Sequence, residues 1–190
     1  MLRPSLLLVA ATLPAATFAI EFQSPEEIIK DKEATQLLTV RRINYFFNQY
    51  PYASDLEHKG QKDYWSSPAE FLEDGKGDCE DYAFVKYHYL RKYGIPASKL
   101  RFYTVLLDER YPHMVLAYFH QPDEPPYILD SASYRAIKAD IRIDLTTIYS
   151  FNENQMWISP SFTKDTAKSP VNIRKYRETM DRQHLRQNKD

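Results

Sequence analysis

The segment Gly77-Asp78-Cys79-Glu80-Asp81-Tyr82-Ala83-Phe84-Val85-Lys86-Tyr87-His88-Tyr89-Leu90-Arg91-Lys92-Tyr93-Gly94-Ile95-Pro96 decides how the chain is read. Asp78 is a residue type that caps the free N–H groups of a first helical turn, and Gly94 with Pro96 is a stop signal. The spacing therefore predicts a helix from Cys79 to about Tyr93, with Cys79, Ala83, Lys86 or Tyr87, and Leu90 along one face. Its first turn carries the one cysteine of the 190 residues. A lone cysteine makes no intrachain disulfide, so it is inert, metal-bound or catalytic. At a helix start, backbone N–H groups and the helix field favour a thiolate and offer an anion hole. The placement after the Gly75-x-Gly77 break favours a used thiol over a small buried hydrophobe.

A nucleophilic thiol needs a base, and the base needs a group to orient it. Of five histidines, His58 lies in a polar stretch, His88 on the tyrosine-rich helix, His120 at a strand end and His184 in the basic C-terminal segment. His113 differs: it begins an apolar strand, in phase with Val115, Ala117 and Phe119. A buried imidazole wants a partner, and Asp130 closes the next strand, Tyr127-Ile128-Leu129. A hairpin joining residues 113 and 130 brings the two ends together. The alternative for His113 is a core histidine satisfied by backbone groups.

Asp78, Glu80 and Asp81 complicate this picture, because like charge raises a thiol pKa. Either these carboxylates turn away into solvent, or a hard cation sits among them. Carboxylate oxygens suit calcium. Asp78 and Asp81, at i and i+3, can face one side, and Glu80 has the reach to join them.

Outward from this centre, Ile43, Phe46, Phe47 and Tyr50 recur at three- and four-residue spacing, which predicts an amphipathic helix ending before Pro51. Ser54 to Asp63 reads as loop. Ser67-Pro68-Ala69-Glu70 carries a capping box with proline at the first helical position, so a short helix follows. Arg101 to Leu107 and His113 to Phe119 read as interior strands, and 143–158 holds further strand-like runs. Past Ser161, 8 Lys+Arg stand against 4 Asp+Glu, which suggests a loose tail or a solvent-facing helix.

A net charge of -1, from 25 basic and 26 acidic residues, argues against a nucleic-acid partner. The 15 tyrosines and 10 phenylalanines predict an aromatic core. At the N-terminus, Arg3, the apolar run Leu6 to Leu13, and Thr17-Phe18-Ala19 read as a signal peptide of residues 1–19, cleaved near Ala19. The run is too short to span a bilayer comfortably, and Pro14 follows it. The expected organisation is this signal, a domain over 20–160, and a basic polar C-terminal tail over 161–190. Export to the periplasm, without stable membrane insertion after cleavage, sharpens the question of the free thiol.

Several blocks together resemble the bacterial transglutaminase-like cysteine peptidases. These are Asp63-Tyr64-Trp65-Ser66-Ser67-Pro68-Ala69-Glu70-Phe71-Leu72, Gly77-Asp78-Cys79-Glu80-Asp81-Tyr82-Ala83, His113-Met114-Val115-Leu116-Ala117 and Leu129-Asp130. Ile43-Asn44-Tyr45-Phe46-Phe47-Asn48 is similar to the family's upstream helix with its paired asparagines. The resemblance implies an α+β, papain-like or transglutaminase-like fold, with the nucleophile at a helix N-terminus packed on an antiparallel sheet. It implies Cys79 as nucleophile, His113 as base, Asp130 as orienting carboxylate, and calcium held by Asp78, Glu80 and Asp81. Better-known members are periplasmic proteases that cut a large outer-membrane biofilm adhesin, and an inner-membrane cyclic di-GMP receptor restrains them. Ser131 departs from the asparagine of many members, and the basic segment has no match. Trp65 is a candidate for receptor docking, since the family docks a receptor near this side, although a tryptophan just before a capped helix is more often a packing residue. Two other readings remain: a transglutaminase or amidase of the same fold, and a non-catalytic, calcium-stabilised binding module.

Overall fold

The computed structural model describes residues 24–170 and 173–187. The expected signal peptide lies outside the described residues. Helix α1 spans Pro25–Lys30, α2 Gln36–Phe47, α3 Asp55–Lys59, α4 Pro68–Asp74 and α5 Cys79–Tyr93. Strands β1 (Leu100–Leu107), β2 (Tyr111–Tyr118), β3 (Tyr127–Leu129), β4 (Ile137–Lys138), β5 (Leu145–Phe151), β6 (Gln155–Ile158) and β7 (Ala167–Pro170) follow, then α6 (Arg174–Gln187). All seven strands join one sheet in the order β4-β3-β2-β1-β5-β6-β7. Every pairing is antiparallel. This is the α+β arrangement of the papain and transglutaminase type, with α5 packed on the sheet.

The local signals explain the elements. Ser67 caps α4, with its side chain accepting from Glu70 N at 3.3 Å while Glu70 accepts from Ser67 N at 2.7 Å. Gly94, at φ +106°, closes α5 in the left-handed region that L side chains rarely adopt. Ser54 to Asp63, expected as loop, contains the single short helix α3. Five residues are too few for a period to register in the sequence.

The sheet's two faces are filled differently. Phe102, Met114, Leu116, Tyr118 and Phe151 meet Phe84, Tyr87 and Leu90 of α5 in the main core. Phe102 is its hub, with ring centroids 4.8 Å from Phe84, 4.8 Å from Tyr87 and 5.0 Å from Phe151. Val105, Val115, Ala117, Ile128 and Phe162 form a smaller cluster on the other face. The aromatic richness of the chain is therefore core packing.

The basic segment past Ser161, expected as a loose tail or a solvent-facing helix, supplies β7, an edge strand, and α6, a helix that packs on the core instead of facing solvent all round. One face of α6 is buried through Tyr176, Thr179 and Gln183. Charge fastens it as well: Arg182 and Arg186 pair with Glu70 at 3.2 and 3.5 Å, and Lys175 pairs with Asp63. Among the described residues no helix is long and apolar enough to cross a membrane.

Candidate active site

Gly77 lets the turn before Cys79 close. A Cβ there would meet Asp81 Oδ2 at 2.5 Å and Phe71 at 3.0 Å, so Gly77 is fixed by close approach. Asp81, wholly buried, accepts from Ser66 N at 2.6 Å and from Asp78 N at 3.3 Å. These bonds tie the first turn of α5 to the segment preceding α4. Ala53 N donates to Gly77 O at 2.9 Å and draws the chain after α2 alongside.

Cys79, on the first turn of α5, lines a cavity of about 500 Å³ with His113, Met114, Asp78, Glu80, Tyr52, Trp65 and Tyr149. Strand alternation puts His113 in phase with Val115 and out of phase with Met114, yet both line the cavity. The β2–β3 register pairs Leu116 with Leu129. Extended by one pair, it sets Asp130 opposite Val115, diagonal to His113 on the same face. His113 Nε2 lies 2.7 Å from Asp130 Oδ1, with Asp130 wholly buried. Burial alone would raise the Asp130 carboxyl, but the bond and charge of His113, the N–H of Ala132 and the charge of Arg142 hold it well below the usual range.

Asn44 of α2 and its C-cap Asn48 fasten the loop that carries Asp130. Asn48 Nδ2 donates to Asp130 O at 2.7 Å and to Ser133 O at 2.6 Å, and Asn44 Nδ2 donates to Ser133 O at 2.8 Å. Lys86 Nζ, wholly buried, donates to Asn44 Oδ1 at 2.9 Å. Burial lowers the Lys86 pKa to about 7, against the pull of Asp130.

The carboxylates around Cys79 do not turn away. Cys79 Sγ donates to Glu80 Oε2 at 3.0 Å. Burial first, then the charges of Glu80 and Asp78, push the thiol well above its ordinary value. Burial and the charge of Glu80 raise Asp78 to about 8, and burial and the charge of Asp78 raise Asp81 to about 7. Burial raises Glu80 as well. Ligand atoms of Asp78, Cys79 and Glu80 lie within 4.8 Å of one another, as do those of Asp55, Asp78 and Asp81. Asp78 Oδ1 is buried with no hydrogen-bond partner. The group of Asp55, Asp78 and Asp81 offers oxygen ligands alone, and with the free buried acceptor of Asp78 it fits a hard cation such as calcium.

Asp55 is the member that the sequence did not indicate. It lies more than twenty positions upstream, and only the fold of α3 carries it here. Arg142 was missed too: its Nη2 donates to Asp130 Oδ2 at 2.7 Å. Trp65, considered for docking, is a packing residue. It is buried against Phe84 and Phe151, with ring centroids at 5.4 and 6.3 Å, and its Nε1 donates to Asp63 Oδ1 at 3.0 Å.

The profile of the bacterial transglutaminase-like cysteine proteinases matches residues 19–164. Among solved structures, Legionella pneumophila LapG in its calcium-bound form is 34% identical at a TM-score of 0.73, covering 84% of this chain and 87% of that one. The EGTA-treated form is 34% identical at a TM-score of 0.73, covering 83% and 85%. A further LapG structure is 35% identical at 0.71, covering 83% of each chain. A comparison with curated protein sequences gives no match. With its profile, its fold and its single cysteine at a helix start, the chain belongs to the bacterial transglutaminase-like cysteine proteinases and is a cysteine peptidase.

Proposed function

We propose that the protein is a calcium-dependent periplasmic endopeptidase that cleaves an exported protein through Cys79, His113 and Asp130. The carrying observation is the His113–Asp130 pair, 2.7 Å apart, with His113 lining the cavity that holds the only cysteine. An ionised Asp130 can only accept, so Nε2 of His113 carries the proton and Nδ1 is left to act as base. Cys79 Sγ, relieved of its proton by Nδ1, attacks the scissile carbonyl carbon. Backbone N–H groups at the start of α5 face the developing oxyanion. The C–N bond breaks as His113 returns the proton to the leaving amine, and water then hydrolyses the thioester. Asp78, Glu80 and Asp81, joined by Asp55, would hold calcium, and the bound ion would offset the carboxylate charge that opposes thiolate formation.

The N-terminal sequence supports export, with residues 1–19 as a signal and residue 20 onward as the mature chain. The family resemblance supports a large biofilm adhesin as substrate and an inner-membrane cyclic di-GMP receptor as the restraint. Nothing in the charge balance favours nucleic acid. The test is incubation of purified protein with the N-terminal region of an adhesin from the same organism, with calcium or EGTA, beside Cys79→Ala. Cleavage that needs both calcium and Cys79 supports the reading. Incorporation of a free amine without peptide cleavage would establish a transferase instead.

A further inference from the structure

Asp130 has two oxygens, and the His113 bond accounts for one. Oδ1 also accepts from Ala132 N at 2.9 Å. Oδ2 accepts from Arg142 Nη2 at 2.7 Å. Arg142 is pinned in turn by Asp144, which takes Nε at 2.9 Å and Nη2 at 2.7 Å. The turn that presents it, between β4 and β5, inverts the usual partition of side chains. Ile141 and Ile143 are 67% and 93% exposed, while the Arg142 side chain is 10% exposed. Folding left to hydrophobicity alone would turn an isoleucine inward here. The guanidinium points in because the buried carboxylate is there. A planar fork that bridges two carboxylates fixes a direction as well as a charge, which an ammonium does not do.

We propose that Arg142 is a positioning residue of the peptidase site, holding Asp130 ionised and in one rotamer so that His113 keeps its proton on Nε2 and presents Nδ1 to Cys79. This rests on the reading of His113 as the base. The groups facing Asp130 are His113 from β2, Arg142 from the β4–β5 turn and Lys86 from α5, with Asp144 beyond the guanidinium. Without Arg142 the second oxygen would be wholly buried and unpaired. The carboxyl could then rotate or take up a proton, and either change releases the ring tautomer.

The test uses the full mature chain with calcium and the variants Arg142→Gln, Arg142→Lys and Asp144→Asn. Thermal melting, the imidazole ¹⁵N shifts of His113 and the kinetics on a cleavable protein substrate are read for each. In Arg142→Gln, kcat falls about 10- to 100-fold with KM within about twofold, and the Nε2–H signature gives way to a tautomer mixture. Arg142→Lys recovers part of both. Asp144→Asn, which leaves the Asp130 pair intact but loosens the fork, gives a smaller change in the same direction and carries the test if Arg142→Gln does not fold. A wild-type tautomer and wild-type kcat in folded Arg142→Gln, or in Asp144→Asn should the first variant not fold, overturn the proposal. The ¹⁵N readout needs no turnover, so a failure of the peptidase reading, seen with Cys79→Ala, is distinguishable from a failure of this one.

Discussion

Cys79 stands between opposing influences. The helix start favours a thiolate, whereas burial and the carboxylates of Glu80 and Asp78 favour the thiol, and without a cation the second set wins. Alkylation of Cys79 at pH 7, followed by intact mass, should therefore be slow in EGTA and accelerate with calcium. Equal rates in the two conditions would detach the carboxylates from the thiol. The same cluster predicts a pH effect on stability. Asp78 and Asp81, raised to about 8 and about 7, keep protons that the unfolded chain loses near pH 4. The folded state holds more protons across pH 4–8, so stability falls as pH rises through that window. Urea midpoints in EGTA should be lower at pH 8 than at pH 5, and calcium should narrow the gap. Midpoints that do not move with pH would show that neither burial nor mutual charge raises these carboxyls in the folded state. At Gly77, substitution by alanine forces Asp81 aside and should cost about 2 kcal/mol, measured as a shift in the urea midpoint.

Helix α2 works at a distance from the chemistry. Its residue Asn44 and its C-cap Asn48 hold the carbonyls of Asp130 and Ser133, so the helix end fixes the Asp130 loop. Asn48→Ala removes two of these bonds, leaving Ser133 O with Asn44 and Asp130 O with the N–H of Ser133 at 3.3 Å, at a cost of about 2 kcal/mol. Turnover should fall further than that stability loss accounts for, because the His113–Asp130 alignment depends on the loop. A fall in melting temperature with unchanged kcat would confine Asn48 to a structural role.

Across the whole molecule, the basic C-terminal segment closes the core beside the cleft. Tyr176 packs against Phe84 and Phe151 at 5.8 and 5.7 Å, and Thr179 Oγ1 donates to Trp65 O at 3.0 Å. Truncation after Pro170 should uncover Trp65 and Phe84 and cost roughly 3–5 kcal/mol, from the apolar area exposed to water and the removal of the Tyr176 ring from its aromatic neighbours. The contribution of Arg182 and Arg186 should shrink in high salt, because these side chains are partly exposed and screened. Unfolding curves of the truncated and full chains at two salt concentrations measure both effects. Coincident curves would mean that α6 adds nothing to the core.

The local patterns were sufficient for the parts whose physics is local. The capping box at Ser67, the stop at Gly94, the helix start at Cys79 and the apolar phase of β1 and β2 are written in neighbouring residues, and the structure contains each of them. The pairing of His113 with Asp130 was also legible, because the two residues lie near adjoining ends of consecutive strands and a buried imidazole at one end calls for a partner at the other. Tertiary structure alone decided the rest. Asp55 joins Asp78 and Asp81 only because α3 folds back, and Arg142 reaches Asp130 from a turn flanked by exposed isoleucines. The C-terminal helix looks too charged to belong to a core, yet it buries Tyr176. In each case the partner lies far along the chain or is polar where a hydrophobic pattern expects none, so no period or composition in the sequence signals it.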